Sequence, residues 1–122
     1  MANGHLISIV DDDSSMRDGL AALVSALGHD VRAFASAEEL LASRELDQFS
    51  CAITDIQMPG MDGFELKRQL SLRDSQMLVI MITARPEPDL EEKAIASGAT
   101  YFLRKPFEAE TLVCCLEKAL GR

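Results

Sequence analysis

The chain has few of the groups that cross-link a protein, carry it into a membrane or hold it on nucleic acid. Its three cysteines, Cys51, Cys114 and Cys115, are an odd number with no CxxC spacing and no nearby histidine cluster. Neither a disulfide framework nor a zinc site is supported, and reduced thiols are expected. No apolar run approaches the roughly 20 residues of a membrane span. Residues 1–10 lack the charged start and long apolar middle of a signal peptide, so the cytoplasm is the expected location. Lys and Arg number 12 against 20 acids, for a net charge of −8, and they do not cluster. Binding to nucleic acid draws on clustered cations to displace counterions, so direct contact with DNA or RNA by this segment is not expected. Internal repeats, low-complexity tracts and linkers are also missing.

What remains is a globular composition. Apolar residues make up 48% and charged residues 26% of 122 residues, enough for one core and too few for two. Residues 1–122 are expected to form a single domain.

Leu6-Ile7-Ser8-Ile9-Val10 is a short β-branched run that stops abruptly at Asp11, as a buried parallel strand does at its carboxyl edge. From Ser15 to Leu27 the apolar residues Leu20, Leu23, Val24 and Leu27 recur at helical spacing, with Ser14 or Ser15 as cap and Gly28 as stop. The alternation then repeats. Asp30–Phe34 reads as a weaker strand, and Ser36 opens a helix with Glu38 and Glu39 in its first turn. Cys51–Thr54 is a strand ending at Asp55, followed by a Met58-Pro59-Gly60 turn and a helix through Phe64, Leu66, Leu70 and Leu72. Met77–Thr83 is the longest apolar run and the best candidate for the central strand. A helix after Pro88, a strand over Thr100–Leu103 and a helix from about Glu108 to Leu120 complete the chain. Five strand–helix pairs imply a doubly wound α/β fold, a parallel sheet with helices on both faces. Ligands of such sheets sit beyond the carboxyl ends of the strands.

That edge collects the chemistry. Asp11 and Asp12 follow strand one, Asp55 ends strand three, Thr83 ends strand four and Lys105 follows strand five. Three converging carboxylates repel unless a cation compensates, and a hard oxygen-lined site with room for water suits Mg2+. Thr83 adds a hydroxyl donor, and Lys105 a point charge able to meet a phosphate oxygen. An ionised aspartate needs no activation as a nucleophile; metal and lysine would neutralise the incoming phosphoryl group. The set is complete for forming an acyl phosphate.

The strings Ile9-Val10-Asp11-Asp12-Asp13, Asp55-Ile56-Gln57-Met58-Pro59-Gly60-Met61-Asp62-Gly63, Ile82-Thr83-Ala84 and Lys105-Pro106-Phe107 resemble the receiver family of two-component response regulators, in order and spacing across nearly the whole chain. Locally they are similar to the nitrogen-fixation branch of transcriptional regulators. The resemblance implies a flavodoxin-like sheet of order 2-1-3-4-5. It implies Asp11 and Asp12 as the acidic metal pair, Asp55 as phosphoacceptor and further ligand, and Gln57 as a metal ligand through its backbone carbonyl. It also implies phosphoryl contacts from Thr83 and Lys105, a cis Lys105–Pro106 bond, and Phe102 as an aromatic that changes rotamer on phosphorylation. The expected partners are a sensor histidine kinase, an output domain or downstream protein, and a second copy in a phosphorylation-dependent homodimer.

Competing readings fare worse. An acidic cluster is commonly a solvated face or a set of helix caps, a role that suits Asp13. A calcium loop starting at Asp55 would place Pro59 at a ligand position and Leu66 where the bidentate Glu belongs. A haloacid-dehalogenase-like phosphatase wants a second acid two residues after the nucleophile, where this chain has Gln57. A partner-binding pseudo-receiver has no need of an intact Asp11, Asp12, Asp55, Thr83 and Lys105. Met58 and Met61 read as packing residues, Tyr101 as facing away from Phe102, and His5 and His29 as surface residues and not phosphocarriers. On the last helix, a stripe of Leu112, Leu116 and Ala119 leaves Cys114 outward and Cys115 at the margin. Arg85-Pro86-Glu87-Pro88 departs from the family pattern and leaves the start of the fourth helix open.

Overall fold

Strand β1 (Leu6–Val10) leads into helix α1 (Ser14–Ala26), and the alternation continues through β2 (Asp30–Phe34), α2 (Ala37–Leu41), β3 (Cys51–Asp55), α3 (Gly63–Leu72), β4 (Leu78–Thr83), α4 (Leu90–Ala96), β5 (Tyr101–Arg104) and α5 (Ala109–Ala119) in this computed structural model, which describes residues 4–121. All strand pairs are parallel, and the five strands lie in the order β2-β1-β3-β4-β5. The doubly wound, flavodoxin-like expectation is met. The centre of the sheet, however, is β3 and not the longer run of β4. Both strands are flanked on each side and buried, so hydrophobic run length could not tell them apart.

Side chains alternate between the two faces of the sheet. Ile7, Ile9, Cys51, Ile53, Ile80 and Ile82 pack with Leu20 and Val24 of α1 and Leu112 and Leu116 of α5. Val10, Ala52, Val79 and Met81 pack with Leu40 of α2, Leu66 and Leu70 of α3 and Ala94 of α4. Each fully buried aliphatic side chain contributes about 1.5–3 kcal/mol of transfer free energy, so the sheet is clamped from both sides. Tyr101 joins the α1/α5 layer and Phe102 the other, as alternation along β5 requires.

Several local expectations need correction. Asp13, not a serine, caps α1, its carboxylate accepting from Ser15 N at 2.9 Å and Met16 N at 3.3 Å. Leu72 is 66% exposed, because Leu66 and Leu70 define the inner face of α3 and Leu72 lies about 200° further round the helix from Leu70. His29 is buried and is not a surface residue. Its Nδ1 accepts the His5 backbone N–H at 3.0 Å, and His5 Nδ1 lies 3.0 Å from Ser50 Oγ. Parallel pairing that starts at Leu6 and Asp30 makes neighbours of the residues just ahead of each strand. The cysteines divide as expected, Cys114 exposed and Cys115 half-buried, while burial pushes the thiol of Cys51 up to about 12.

Candidate functional site

The carboxyl edge of the sheet is built from strand ends and the loops that leave them. β1 runs straight into Asp11, which is fully buried, and Asp12, which is exposed. Asp11 is fixed by its own turn: its Oδ1 accepts the Asp13 N–H at 2.9 Å, and its carbonyl accepts from Arg17 Nη1 at 2.8 Å. β3 delivers Asp55 one strand away, 8% exposed. The loop after Asp55 is short and tightly drawn. Ile56 N–H bonds to Ile82 O at 2.8 Å, and Gly63 N–H returns to Ile56 O at 2.8 Å. A Cβ on Gly63 would lie 2.8 Å from the Asp55 carbonyl oxygen, so glycine is what lets α3 begin this close to β3. Gly60 has φ of +79°, and next to it the Met61 N–H is held by Glu38 Oε2 at 3.1 Å.

β5 supplies the cation. Lys105 N–H bonds to Thr83 O at 2.7 Å, and the Lys105–Pro106 peptide is cis. Lys105 Nζ stands 3.1 Å from Asp11 Oδ2 and 3.3 Å from Asp55 Oδ2, bridging two of the three acids. Oxygen atoms of Asp11, Asp12 and Asp55 lie within 4.8 Å of one another. Loss of hydration is the main reason the Asp55 carboxyl is held above the ordinary aspartate range; Lys105 opposes the rise and the charge of Asp11 adds to it. Burial works to lower the Lys105 ammonium, but the two carboxylates outweigh it and hold it above the usual lysine value. Three carboxylates and one ammonium leave two negative charges uncompensated, the charge of one divalent cation. The all-oxygen donor set suits a hard ion such as Mg2+.

Thr83 is buried at the end of β4 and is tied to the cluster indirectly. Its hydroxyl donates to Gln57 Oε1 at 2.7 Å and accepts the Arg85 N–H at 3.0 Å. The metal role implied for Gln57 runs through its backbone carbonyl; the side-chain contact crosses from the β3–α3 loop to β4 and leaves no trace in residue spacing. Phe102 stands apart from the acids, half-buried in the layer with α3 and α4. Arg104, which no sequence signal singled out, lies over its ring, 5.1 Å from the centroid.

The description response regulator receiver domain fits residues 7–117 of this sequence, nearly all of the chain and all of the site. The chain belongs to the response regulator receiver family. Transcriptional regulatory protein FixJ of Bradyrhizobium diazoefficiens is 35% identical over 117 residues, covering 96% of this chain and 57% of that protein. Among solved structures, the chemotaxis protein CheY4 of Vibrio cholerae is 30% identical with a TM-score of 0.86, covering 95% of this chain and 98% of the other. The crystal structure of FixJ-N gives 30% identity and a TM-score of 0.85, covering 96% and 94%. This receiver thus spans about half the length of its FixJ relative. Among its described residues no helix is long and apolar enough to cross a membrane.

Proposed function

We propose that this receiver accepts a phosphoryl group from a sensor histidine kinase onto Asp55, in a reaction that depends on Mg2+, and relays the event to a partner surface. The observation that carries the reading is the convergence of Asp11, Asp12 and Asp55 within 4.8 Å, with Lys105 bridging Asp11 and Asp55. A carboxylate oxygen of Asp55 attacks phosphorus as the bond from phosphorus to the kinase histidine breaks, the electron pair returning to the ring nitrogen. Asp11, Asp12, Asp55 and the Gln57 backbone carbonyl would hold Mg2+, which when bound neutralises charge on the transferring phosphoryl oxygens. Lys105 stands beside the nucleophile and meets one phosphoryl oxygen as a point charge. In this reading the chain acts on no separate substrate and catalyses only its own phosphorylation and dephosphorylation. Residues 1–122 act as one domain in the cytoplasm, contact no nucleic acid, and pass the signal to an output domain, a downstream protein or a second copy. A transcriptional output, which the FixJ name suggests, belongs to the whole protein and is proposed for it alone. Acetyl phosphate should give one phosphoryl adduct by intact-mass spectrometry with Mg2+ and none with excess chelator; equal yields in both would refute the metal dependence.

Thr83 is the first relay. A phosphoryl oxygen offers its hydroxyl a charge-assisted bond stronger than the neutral one to Gln57, and the space it leaves admits Phe102. Thr83→Ala should leave Asp55 phosphorylatable while the NMR shifts of Phe102 no longer answer to beryllofluoride, a mimic of the aspartyl phosphate. A normal Phe102 response in that variant would rule the relay out.

A further inference from the structure

We infer that Arg104 is a positioning residue that clamps the β4–α4 loop in its resting form and must let go when Asp55 is phosphorylated. The inference rests on the reading of Asp55 as phosphoacceptor. It starts from strand geometry: Phe102 and Arg104 are two apart on β5 and share a face, and β4–β5 pairing sets Arg104 opposite Thr83 and Phe102 opposite Met81. At the strand end both Nη atoms of the Arg104 guanidinium are bonded. Nη1 donates to Arg85 O at 2.6 Å, Nη2 donates to Glu87 O at 2.7 Å, and Cζ lies over the Phe102 ring, 5.1 Å from its centroid. The hydrogen bonds are charge-assisted, and the cation lies within 6 Å of an aromatic centroid.

The loop so held contains Arg85, whose N–H is bonded to the Thr83 hydroxyl at 3.0 Å. One residue therefore touches both ends of the relay, fixing the loop that restrains Thr83 and covering the aromatic that is to move. Pro86 and Pro88 limit the backbone of the segment, leaving it few ways to shift while two of its carbonyls are pinned. On the proposed relay Phe102 turns inward, away from the guanidinium, and Thr83 exchanges the bond it donates to Gln57 for one to a phosphoryl oxygen, which moves the oxygen that accepts the Arg85 N–H. The clamp is thus a load on the active state, and a ligand that selects that state works against it. Lysine would substitute incompletely. Its ammonium can donate to carbonyls but has no rigid planar fork to bond both while lying against the ring, so it would hold the loop only in part.

The test is a titration of the full chain with beryllofluoride and Mg2+, followed by NMR. Removing the load in Arg104→Ala should tighten apparent affinity on the order of ten-fold, an effect of about 1.4 kcal/mol, and should speed amide exchange across residues 84–88. Arg104→Lys should tighten it less while keeping the charge. An unchanged or weakened midpoint in Arg104→Ala would overturn the clamp, since an anchor with no part in the switch leaves that midpoint alone. A wild-type chain that does not answer beryllofluoride would instead sink the phosphoacceptor reading. Should the alanine variant fail to fold, the wild type decides. Its Arg104 guanidinium N–H signals should be protected at rest and lose protection at saturation, and protection that persists in the complex would refute the proposal.

Discussion

Replacing Asp12 by alanine should weaken Mg2+ binding on the order of 100-fold or more, the upper end of what even an outer-sphere partner of a metal costs. The three acids are not equivalent targets for this experiment. Asp11 is fully buried and holds the Asp13 N–H and Lys105, so truncating it would disturb the turn and take from Lys105 one of its two carboxylate partners. Asp55 shares the same ammonium. Asp12 is exposed, and its truncation removes charge from the cluster at little cost to packing. Mg2+ binds through one or two carboxylates and keeps several waters, so losing one of a small number of anionic donors is felt strongly. Titration calorimetry on folded Asp12→Ala protein would show it, and wild-type affinity in that variant would remove Asp12 from the metal site. A thermal midpoint close to wild type would establish that the loss is local.

Most of this fold was legible because four of the five strands, all but β2, end where the apolar run meets an acid, a threonine or a basic pair, and the longer helices carry their own period. Leu20 with Val24, Leu66 with Leu70 and Leu112 with Leu116 are i,i+4 pairs, and all are buried. What sequence could not supply was contact across strands. The pairing of His5 with His29 follows from the register of β1 against β2, which no local pattern encodes. Run length favoured β4 as the central strand because apolar content reports burial and not position within the sheet. The candidate site shows the same division. Asp11, Asp12, Asp55 and Lys105 were found because parallel strands deliver their ends to one edge, and they meet there. The Gln57 side chain on Thr83 and the fork of Arg104 were missed because each joins the end of a strand to a loop distant in sequence. Arg104 could have drawn notice by its place two residues after Phe102, on the same face of β5, but an arginine at a strand end is ordinarily a solvated charge.

The whole account turns on which carboxylate carries the phosphoryl group. Asp55 is the acid that lies beside Lys105 and near Asp11 and Asp12 while retaining some exposure at the carboxyl edge of the sheet. Asp11 is closed to an incoming group, being fully buried and bonded at both oxygens. Asp12 is open but has no bond to the lysine that would steady a phosphoryl oxygen. Asparagine at position 55 keeps the volume and the shape while removing the anionic nucleophile, so the site stays folded and the chemistry stops. The decisive measurement is intact-mass spectrometry of wild type and Asp55→Asn after acetyl phosphate and Mg2+, with peptide mapping of any adduct. A single adduct on wild type, located at Asp55 and absent from Asp55→Asn, is the predicted result, and an adduct of equal yield in Asp55→Asn would contradict the account.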